Sequence, residues 1–378
     1  MGTGLDPEGE SCVSKSLGGN FKWLVGGIVG VSLLGACGAP AEGEDGSVLQ
    51  DQATGDVTVS LSVAKSSLSA REDVSVAVTF TNTSSQPVRL LKFYVPDGHL
   101  KEGLFEVTRN GEPVEYIGPE IKRAAPTAQD YITLAPGESL TGSAPVSGMY
   151  DLSESGSYTI RYAARSLDQH SALLSKAAQL DSNLVSLWIE GRESGQPELQ
   201  AQGTVSAQGL SYSGSCTTSE QSSISTAVAN ATSYANSASS YLNGISSGTT
   251  RYTTWFGAYS STNLSTARSH FTSIKSAFAT AAIVVDCSCS DSYYAYVYPA
   301  SPYKIYVCNA FWSAPATGTD SKAGTLVHEM SHFNVVAATD DWAYGQSSAK
   351  SLASSSPSKA LDNADNHEYF AENTPALP

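Results

Sequence analysis

Two hydrophobic periods divide the chain. Between residues 56 and 190 apolar positions alternate: Val57, Val59, Leu61 and Val63, then Val74, Val76, Val78 and Phe80. Alternation sends every second side chain to the same face of a strand. Further strand-like runs cover 88–95, 104–117 (with an Asn110-Gly111 turn), 131–140, 156–164 and 184–190. Short strands separated by turn residues predict an N-terminal all-β, sandwich-like domain over 56–190. Residues 191–209 carry no apolar period and read as a linker.

Beyond the linker the step becomes three and four. Ile224, Val228, Ala231, Ala235, Ala238, Leu242 and Ile245 predict an amphipathic helix over 219–245. Leu264, Ala267, Phe271, Ile274 and Phe278 predict a second over 262–279. "AIVVDCSC", "YYAYVYP" and "KIYVCNAFW" suggest a small sheet. The helical pattern returns over 319–336, with Thr319 or Asp320 as N-cap, and again over 357–373, opened by Pro357. The chain is therefore expected to be multidomain, with a mainly helical α+β domain over 210–378.

A length of 378 residues agrees, since domains run roughly 100–200 residues. A formal net charge of −15 repels nucleic acid and anionic lipid, so neither is an expected partner. Residues 1–37 read as a targeting segment. Lys15 and Lys22 precede an apolar run from Trp23 to Ala36, shorter than the roughly 20 residues of a membrane span. The run ends in Leu34-Gly35-Ala36-Cys37, which resembles the lipobox of bacterial lipoproteins. Cys37 is thus a candidate lipidated residue, and 38–55 a polar tether. The chain is expected to be exported, touching a membrane only through that anchor, with the mature part extracellular and monomeric.

Export permits disulfides. Cys216, Cys287, Cys289 and Cys308 are the candidates. Cys287 and Cys289 would close a very tight ring together, so each is expected to reach Cys216 or Cys308. Of those pairings, Cys216–Cys287 with Cys289–Cys308 is favoured.

The chemistry is concentrated in His328-Glu329-Met330-Ser331-His332. On a helix, positions i and i+4 share a face, so both imidazoles can bind one Zn²⁺. Glu329 beside them can take and relay a proton. Leu326 and Val327 before the motif, and Phe333, Val335 and Val336 after it, make this an apolar, buried helix rather than a surface one. A catalytic zinc takes three protein ligands and keeps one position open. The third could come from Glu368 or Glu372 on the last helix, or from Asp340 or Asp341 just downstream.

The stretch Ala338-Thr339-Asp340-Asp341-Trp342-Ala343-Tyr344-Gly345 after the HExxH resembles the aspzincins, deuterolysin-like zinc proteases, and within them the peptidyl-Lys metalloendopeptidases. The resemblance extends through "RYTTWFGAY", "YAYVYP", "GTDSKAGTLVHE", "DWAYGQSSAKSLA" and "NADNHEYFAEN", essentially all of 210–378. It implies a zincin-type catalytic domain with one Zn²⁺ on His328, His332 and Asp341, and Tyr344 as a donor to the oxyanion. "YIGPEIKRAAPTAQDYITLAPGES" (116–139) resembles the propeptide of the same proteases, which implies a zymogen. Ala338 departs from the family's usual Gly, at a turn where Ala tolerates positive φ poorly.

Asp365 and Glu368 lie at i and i+3, on one helix face. By themselves they could be a solvated acidic patch. The resemblance implies instead a pocket for a lysine ammonium, hence cleavage of Xaa–Lys bonds in protein or peptide substrates. A deuterolysin-like protease without lysine preference, and a surface lipoprotein whose β domain is a permanent binding module, are the alternatives. His367 is expected to be structural or exposed.

Overall fold

The computed structural model describes residues 56–164, 180–193 and 209–378. The expected targeting segment, Cys37, the tether and residues 194–208 of the expected linker lie outside them. Among the described residues no helix is long and apolar enough to cross a membrane.

Among the described residues eleven strands precede the α-helices: β1 (Val57–Val63), β2 (Ser67–Leu68), β3 (Ser75–Asn82), β4 (Val88–Leu91), β5 (Phe105–Arg109), β6 (Glu112–Pro113), β7 (Glu120–Lys122), β8 (Tyr131–Leu134), β9 (Ser139–Pro145), β10 (Gly156–Tyr162) and β11 (Val185–Ile189). β3 lies between β1 and β9, and a second sheet runs β2-β11-β10-β5-β6. The alternating residues Val57, Val59, Leu61, Val76, Val78 and Phe80 are all buried, in one core with Phe105, Tyr158, Ile160, Tyr162 and Leu187 of the second sheet. Phe80 meets Tyr162 edge-on at 5.3 Å, joining the two inner faces. Asn110 and Gly111 both take positive φ, 51° and 91°, the turn that matches the twist of a two-residue hairpin.

The C-terminal region comprises β12 (Ser211–Ser213), α1 (Thr218–Gly244), α2 (Thr250–Phe256), α3 (Ser261–Thr280), β13 (Val284–Asp286), β14 (Ala295–Val297), β15 (Lys304–Val307), α4 (Asn309–Ser313), α5 (Lys322–His332), α6 (Gln346–Ser355), α7 (Pro357–Leu361) and α8 (Ala364–Glu372). A capping box at Thr217 and Glu220 starts α1. Its alanine-rich face, with Ala231, Ala235 and Ala238 fully buried, packs in one core with Leu264, Phe271 and Ile274 of α3 and Leu326 and Met330 of α5. Burying each large side chain of this set contributes about 1.5–3 kcal/mol. Disulfides join Cys216 to Cys287 and Cys289 to Cys308. They tie the start of α1 and the start of α4 to the segment that follows β13.

Three local features differ from the pattern reading. The N-cap of α5 is Ser321, whose hydroxyl accepts from Gly324 N at 2.9 Å, rather than Thr319 or Asp320. The same helix stops at His332, short of Val336. The Phe333 carbonyl there accepts from the amides of Val336, Ala337 and Ala338, which turns the chain and leaves Val335 63% exposed. The last helix is two helices, α7 and α8, broken at Asp362 and Asn363.

The largest departure is β7. Its residues fall inside the expected β domain, yet it pairs with the C-terminal sheet, ordered β12-β13-β15-β14-β7. It runs antiparallel to β14 with Lys122 opposite Ala295, Ile121 opposite Tyr296 and Glu120 opposite Val297. Both faces of this edge strand are covered, and Glu120, Ile121 and Lys122 are all buried.

Ala338 takes φ +49° in the turn after α5. A Cβ in the left-handed region costs roughly 1–2 kcal/mol, against which glycine's extra chain entropy takes back part. Ala338→Gly is therefore expected to stabilise by on the order of 1 kcal/mol, raising Tm by about 2–4 °C. A calorimetric scan showing a lower Tm would mean that the methyl group's contacts outweigh the strain.

Candidate active site

All of α5 from Ala323 to His332 is buried. Its i, i+4 spacing sets the His328 and His332 rings 4.8 Å apart between centroids. Each ring is oriented through Nδ1. His332 Nδ1 donates to the Thr339 carbonyl at 2.6 Å, leaving Nε2 as the free lone pair. His328 Nδ1 lies 2.9 Å from Asp365 Oδ1, off the line of a well-aligned hydrogen bond. Both Nε2 atoms face one carboxylate oxygen, Asp341 Oδ1, at 3.2 Å from His328 and 3.6 Å from His332.

These three atoms are buried and none has a hydrogen-bond partner. Orphaned polar atoms in the dry interior are costly unless something polar joins them. The three residues can hold one cation, since their donor atoms lie within 4.8 Å of one another. Two imidazoles and a carboxylate suit Zn²⁺. The surrounding carboxylates favour positive charge here, which a proton on His328 supplies until a metal displaces it. Burial opposes charge on His328, yet the facing carboxylates of Asp341, Asp365 and Glu368 hold its pKa well above the ordinary value. His332, where burial prevails, is held down at about 4.

The break between α7 and α8 fixes the loop that carries Asp341. Asn363 Oδ1 accepts from the amides of Trp342 at 2.7 Å and Ala343 at 3.0 Å, and its Nδ2 donates to the Ala343 carbonyl. The Asp340 amide donates to the Asp362 carbonyl at 2.7 Å. Asp341 thereby faces the histidines, while Asp340 sits half-buried on the turn. Of the candidates for a third ligand, the geometry brings Asp341 to both imidazoles.

Glu329 is fully buried with neither carboxylate oxygen bonded. Burial pushes its pKa well up, and the charges of His328 and Lys122 pull against that. Tyr344 places its hydroxyl 3.0 Å from the Ile121 carbonyl, to which it donates, and 3.2 Å from Asp341 Oδ2. Arg123 Nη1 donates to the same hydroxyl at 3.0 Å, and Arg123 is itself ion-paired with buried Glu102.

Asp365 and Glu368 are not a solvated face; both are fully buried. The Lys122 ammonium from β7 lies between them, 3.3 Å from Asp365 Oδ1 and ion-paired with Glu368 Oε2. Asp320 Oδ1 is 4.0 Å away, and the rings of Tyr294 and Tyr369 lie 5.2 and 5.8 Å from the nitrogen. Burial disfavours the ammonium, but these carboxylates overcome it and raise the Lys122 pKa well above normal. In turn Asp365, against burial, is held down at about 2 by Lys122 and His328. Behind Glu368, burial and the charge of Glu368 push Glu372 up to about 9, so it is a neutral acid at pH 7. It accepts from Ser321 N and Oγ at 2.9 and 2.8 Å. A Cβ on Gly324 would lie 2.1 Å from Glu372 Oε1, so any larger residue would force that carboxylate aside.

A family model described as lysine-specific metallo-endopeptidase matches residues 241–372. An extracellular protease of Aeromonas hydrophila is 50% identical over 311 residues, covering 81% of this chain and 89% of its own. A peptidyl-Lys metalloendopeptidase of Armillaria mellea is 37% identical over 337 residues, 85% and 92% of the two chains. The chain is an aspzincin metallo-endopeptidase. Among solved structures, a zinc peptidase from Grifola frondosa is 51% identical, covering 43% of this chain and 100% of its own, with a TM-score of 0.42.

Several residues of this aspzincin site escape sequence reasoning. Asn363 and Thr339 act through backbone contacts that no spacing signals. Lys122, Glu102 and Arg123 come from the N-terminal region, and nothing in a linear reading distinguishes Lys122 from the chain's other lysines. His367, expected to be structural or exposed, is buried; its Nδ1 lies 2.9 Å from the Asn363 carbonyl and its ring stacks on His270.

Removing the Asn363 amide leaves two loop amides without their acceptor. Asn363→Ala is expected to cost about 2–4 kcal/mol, since an unsatisfied buried group costs roughly 1–3 kcal/mol. A denaturant midpoint unchanged from the native chain would show that water replaces the side chain.

Proposed function

We propose that this aspzincin cleaves peptide bonds on the N-terminal side of lysine and is made as a zymogen, with residues 56–190 as the propeptide domain, 191–209 as the linker and 210–378 as the catalytic domain. Lys122 carries the reading: an ammonium held by Asp365 and Glu368 while the carbonyl of the residue before it accepts from Tyr344. A substrate lysine entering the same pocket would place its preceding carbonyl at the same hydroxyl. Three donors and full charge are what such a pocket of carboxylates selects.

In this reading His328, His332 and Asp341 hold one Zn²⁺. The ion supplies a Lewis acid that polarises the carbonyl and lowers the pKa of water. Glu329 takes a proton from the attacking water and delivers it to the leaving lysine nitrogen. Its buried, unpartnered carboxylate leaves both oxygens open to that exchange. Tyr344 donates to the oxygen that gains charge on the former carbonyl. Asp365 has two roles, orienting the His328 ring and holding the lysine. With Lys122 in place the pocket is filled, which supports the zymogen. Secretion is supported by the name of the Aeromonas relative. Residues 1–37 as signal and Cys37 as its lipidated residue complete the proposal.

Metal retention separates the ligand from its neighbour. After dialysis of the full chain against zinc-free buffer, Asp341→Ala is expected to keep less than about a hundredth of the native affinity. Asp340→Ala and Glu329→Gln should keep zinc stoichiometric, the latter with turnover down about 10²–10⁴-fold. Zinc lost from Asp340→Ala and kept by Asp341→Ala would move the ligand by one position.

Specificity is read from the new N-termini of a digested protein. The native enzyme should give lysine at nearly all of them. Glu368→Gln, which leaves the Asp365 contacts to His328 and the loop in place, should lower kcat/KM at lysine by about 10–100-fold, the worth of one charge-assisted contact. Mixed N-termini from the native enzyme would refute the acidic pocket as the selector.

A further inference from the structure

We infer that the chain is its own first substrate, cutting itself between Ile121 and Lys122. The inference rests on the lysine-directed reading above and goes beyond it, because an occupied pocket could equally hold an uncleavable plug. A plug that resists its own enzyme has to mismatch the site. It can run the wrong way through the cleft, or withhold the side chain the enzyme selects. The segment Glu120–Lys122 does neither.

The selected side chain is present, since the Lys122 ammonium lies 3.3 Å from Asp365 Oδ1 and is paired with Glu368. The direction is right as well. The carbonyl at the Tyr344 hydroxyl, 3.0 Å away, belongs to the residue before the lysine, as hydrolysis at Xaa–Lys requires. Pairing along β14, with Ile121 opposite Tyr296 and Lys122 opposite Ala295, holds this peptide bond extended between the two anchors. One bond is therefore gripped on both sides by the groups assigned to the oxyanion and to the lysine.

The step balances without any co-reactant but water. The water oxygen bonds to the Ile121 carbonyl carbon, and the carbon–nitrogen bond to Lys122 breaks. Glu329 passes the water's proton to the departing nitrogen. The products are the Ile121 carboxylate and a new amino terminus at Lys122. The geometry also slows the cut. Tyr344 has one proton to donate, and Glu102 Oε1 at 3.2 Å and Asp341 Oδ2 at 3.2 Å compete for it with the carbonyl.

Cutting this bond does not free the N-terminal region. β3 with β9, β4 with β8 and β5 with β10 all pair across the break. The nicked chain stays assembled, and the Lys122 ammonium stays in its pocket. Residues 191–209 contain no lysine, so a cut in that linker needs a protease of another specificity.

The test follows purified full chain loaded with zinc, by denaturing electrophoresis and intact mass. Two fragments joined at Ile121/Lys122 should appear, and should co-elute on native size exclusion. Their rate constant should be unchanged on tenfold dilution, and Glu329→Gln should slow the cut by about 10²-fold or more. The full chain carrying Lys122→Ala should not be cut there, and any cut it makes in an added lysine peptide should fall before the lysine. Lys122→Gln supplies the same readout if the alanine variant misfolds. A native chain left whole at this bond while the Lys122 variant cuts the peptide before lysine overturns self-cleavage and leaves the specificity standing. A cut that persists in Glu329→Gln, or whose rate falls with dilution, also overturns it. A Lys122 variant that cuts the peptide elsewhere overturns the lysine-directed reading itself; one that leaves the peptide whole shows that β7 still covers the cleft, as the zymogen requires.

Discussion

Carboxylates out of reach of water need cations, and this need organises the whole site. Asp341, Asp365, Glu329, Glu368 and Glu372 are all buried around two histidines. Each ionised carboxylate taken from water costs several kcal/mol unless compensated. The compensation visible in the protein is local and unequal. Lys122 and His328 hold Asp365 ionised, with its pKa at about 2, whereas at Glu372 burial and the charge of Glu368 outweigh Lys122, so its pKa is pushed to about 9 and it stays neutral. Asp341 and the two Nε2 atoms likewise favour positive charge, the position where the proposed zinc would replace the His328 proton. On the proposed reading the cluster has two adjacent cation sites, a metal at His328, His332 and Asp341 and an ammonium at Asp365 and Glu368, which meet where His328 Nδ1 faces Asp365 Oδ1.

Such a cluster holds only if the surrounding backbone leaves it no freedom. The loop from Thr339 to Gly345 has no regular structure of its own. It borrows rigidity from the break between α7 and α8, where Asn363 bonds three backbone groups of the loop, and from Gly345 N, which donates to Asp365 Oδ2 at 2.6 Å. Asp365 therefore touches the metal-facing histidine, the ammonium and the loop at once. A change at that side chain couples all three, so its effects are not separable into one role.

The edge of the C-terminal sheet explains how a segment from the N-terminal region reaches this point. An open edge strand presents unpaired amides and carbonyls that another strand can satisfy. β14 is such an edge, and β7 completes it. The main-chain pairing sets the register, and the register delivers Lys122 to the acids and the Ile121 carbonyl to Tyr344. The acidic pocket alone would accept any ammonium; the strand pairing decides which peptide bond accompanies it.

The elements themselves were legible in the chain, because each depends on contacts close in sequence. Alternating valines buried one face of β1 and β3, and the three-and-four spacing of Ile224 to Leu242 buried one face of α1. His328 and His332 share a face because one helical turn separates them, and that holds wherever the helix is placed. Asp341 could be told from Asp340 only through likeness to known proteases, since spacing admits both. What no local pattern contains is the meeting of distant parts. Lys122 is 243 residues from Asp365, yet burial removes the water between them and makes their attraction strong. Asn363, Gly324 and Glu102 likewise take their importance from neighbours that the tertiary fold brings near. Sequence by itself determined the helices, strands and the pair of histidines; the tertiary structure decided which charges lose water together, and so which cations the site demands.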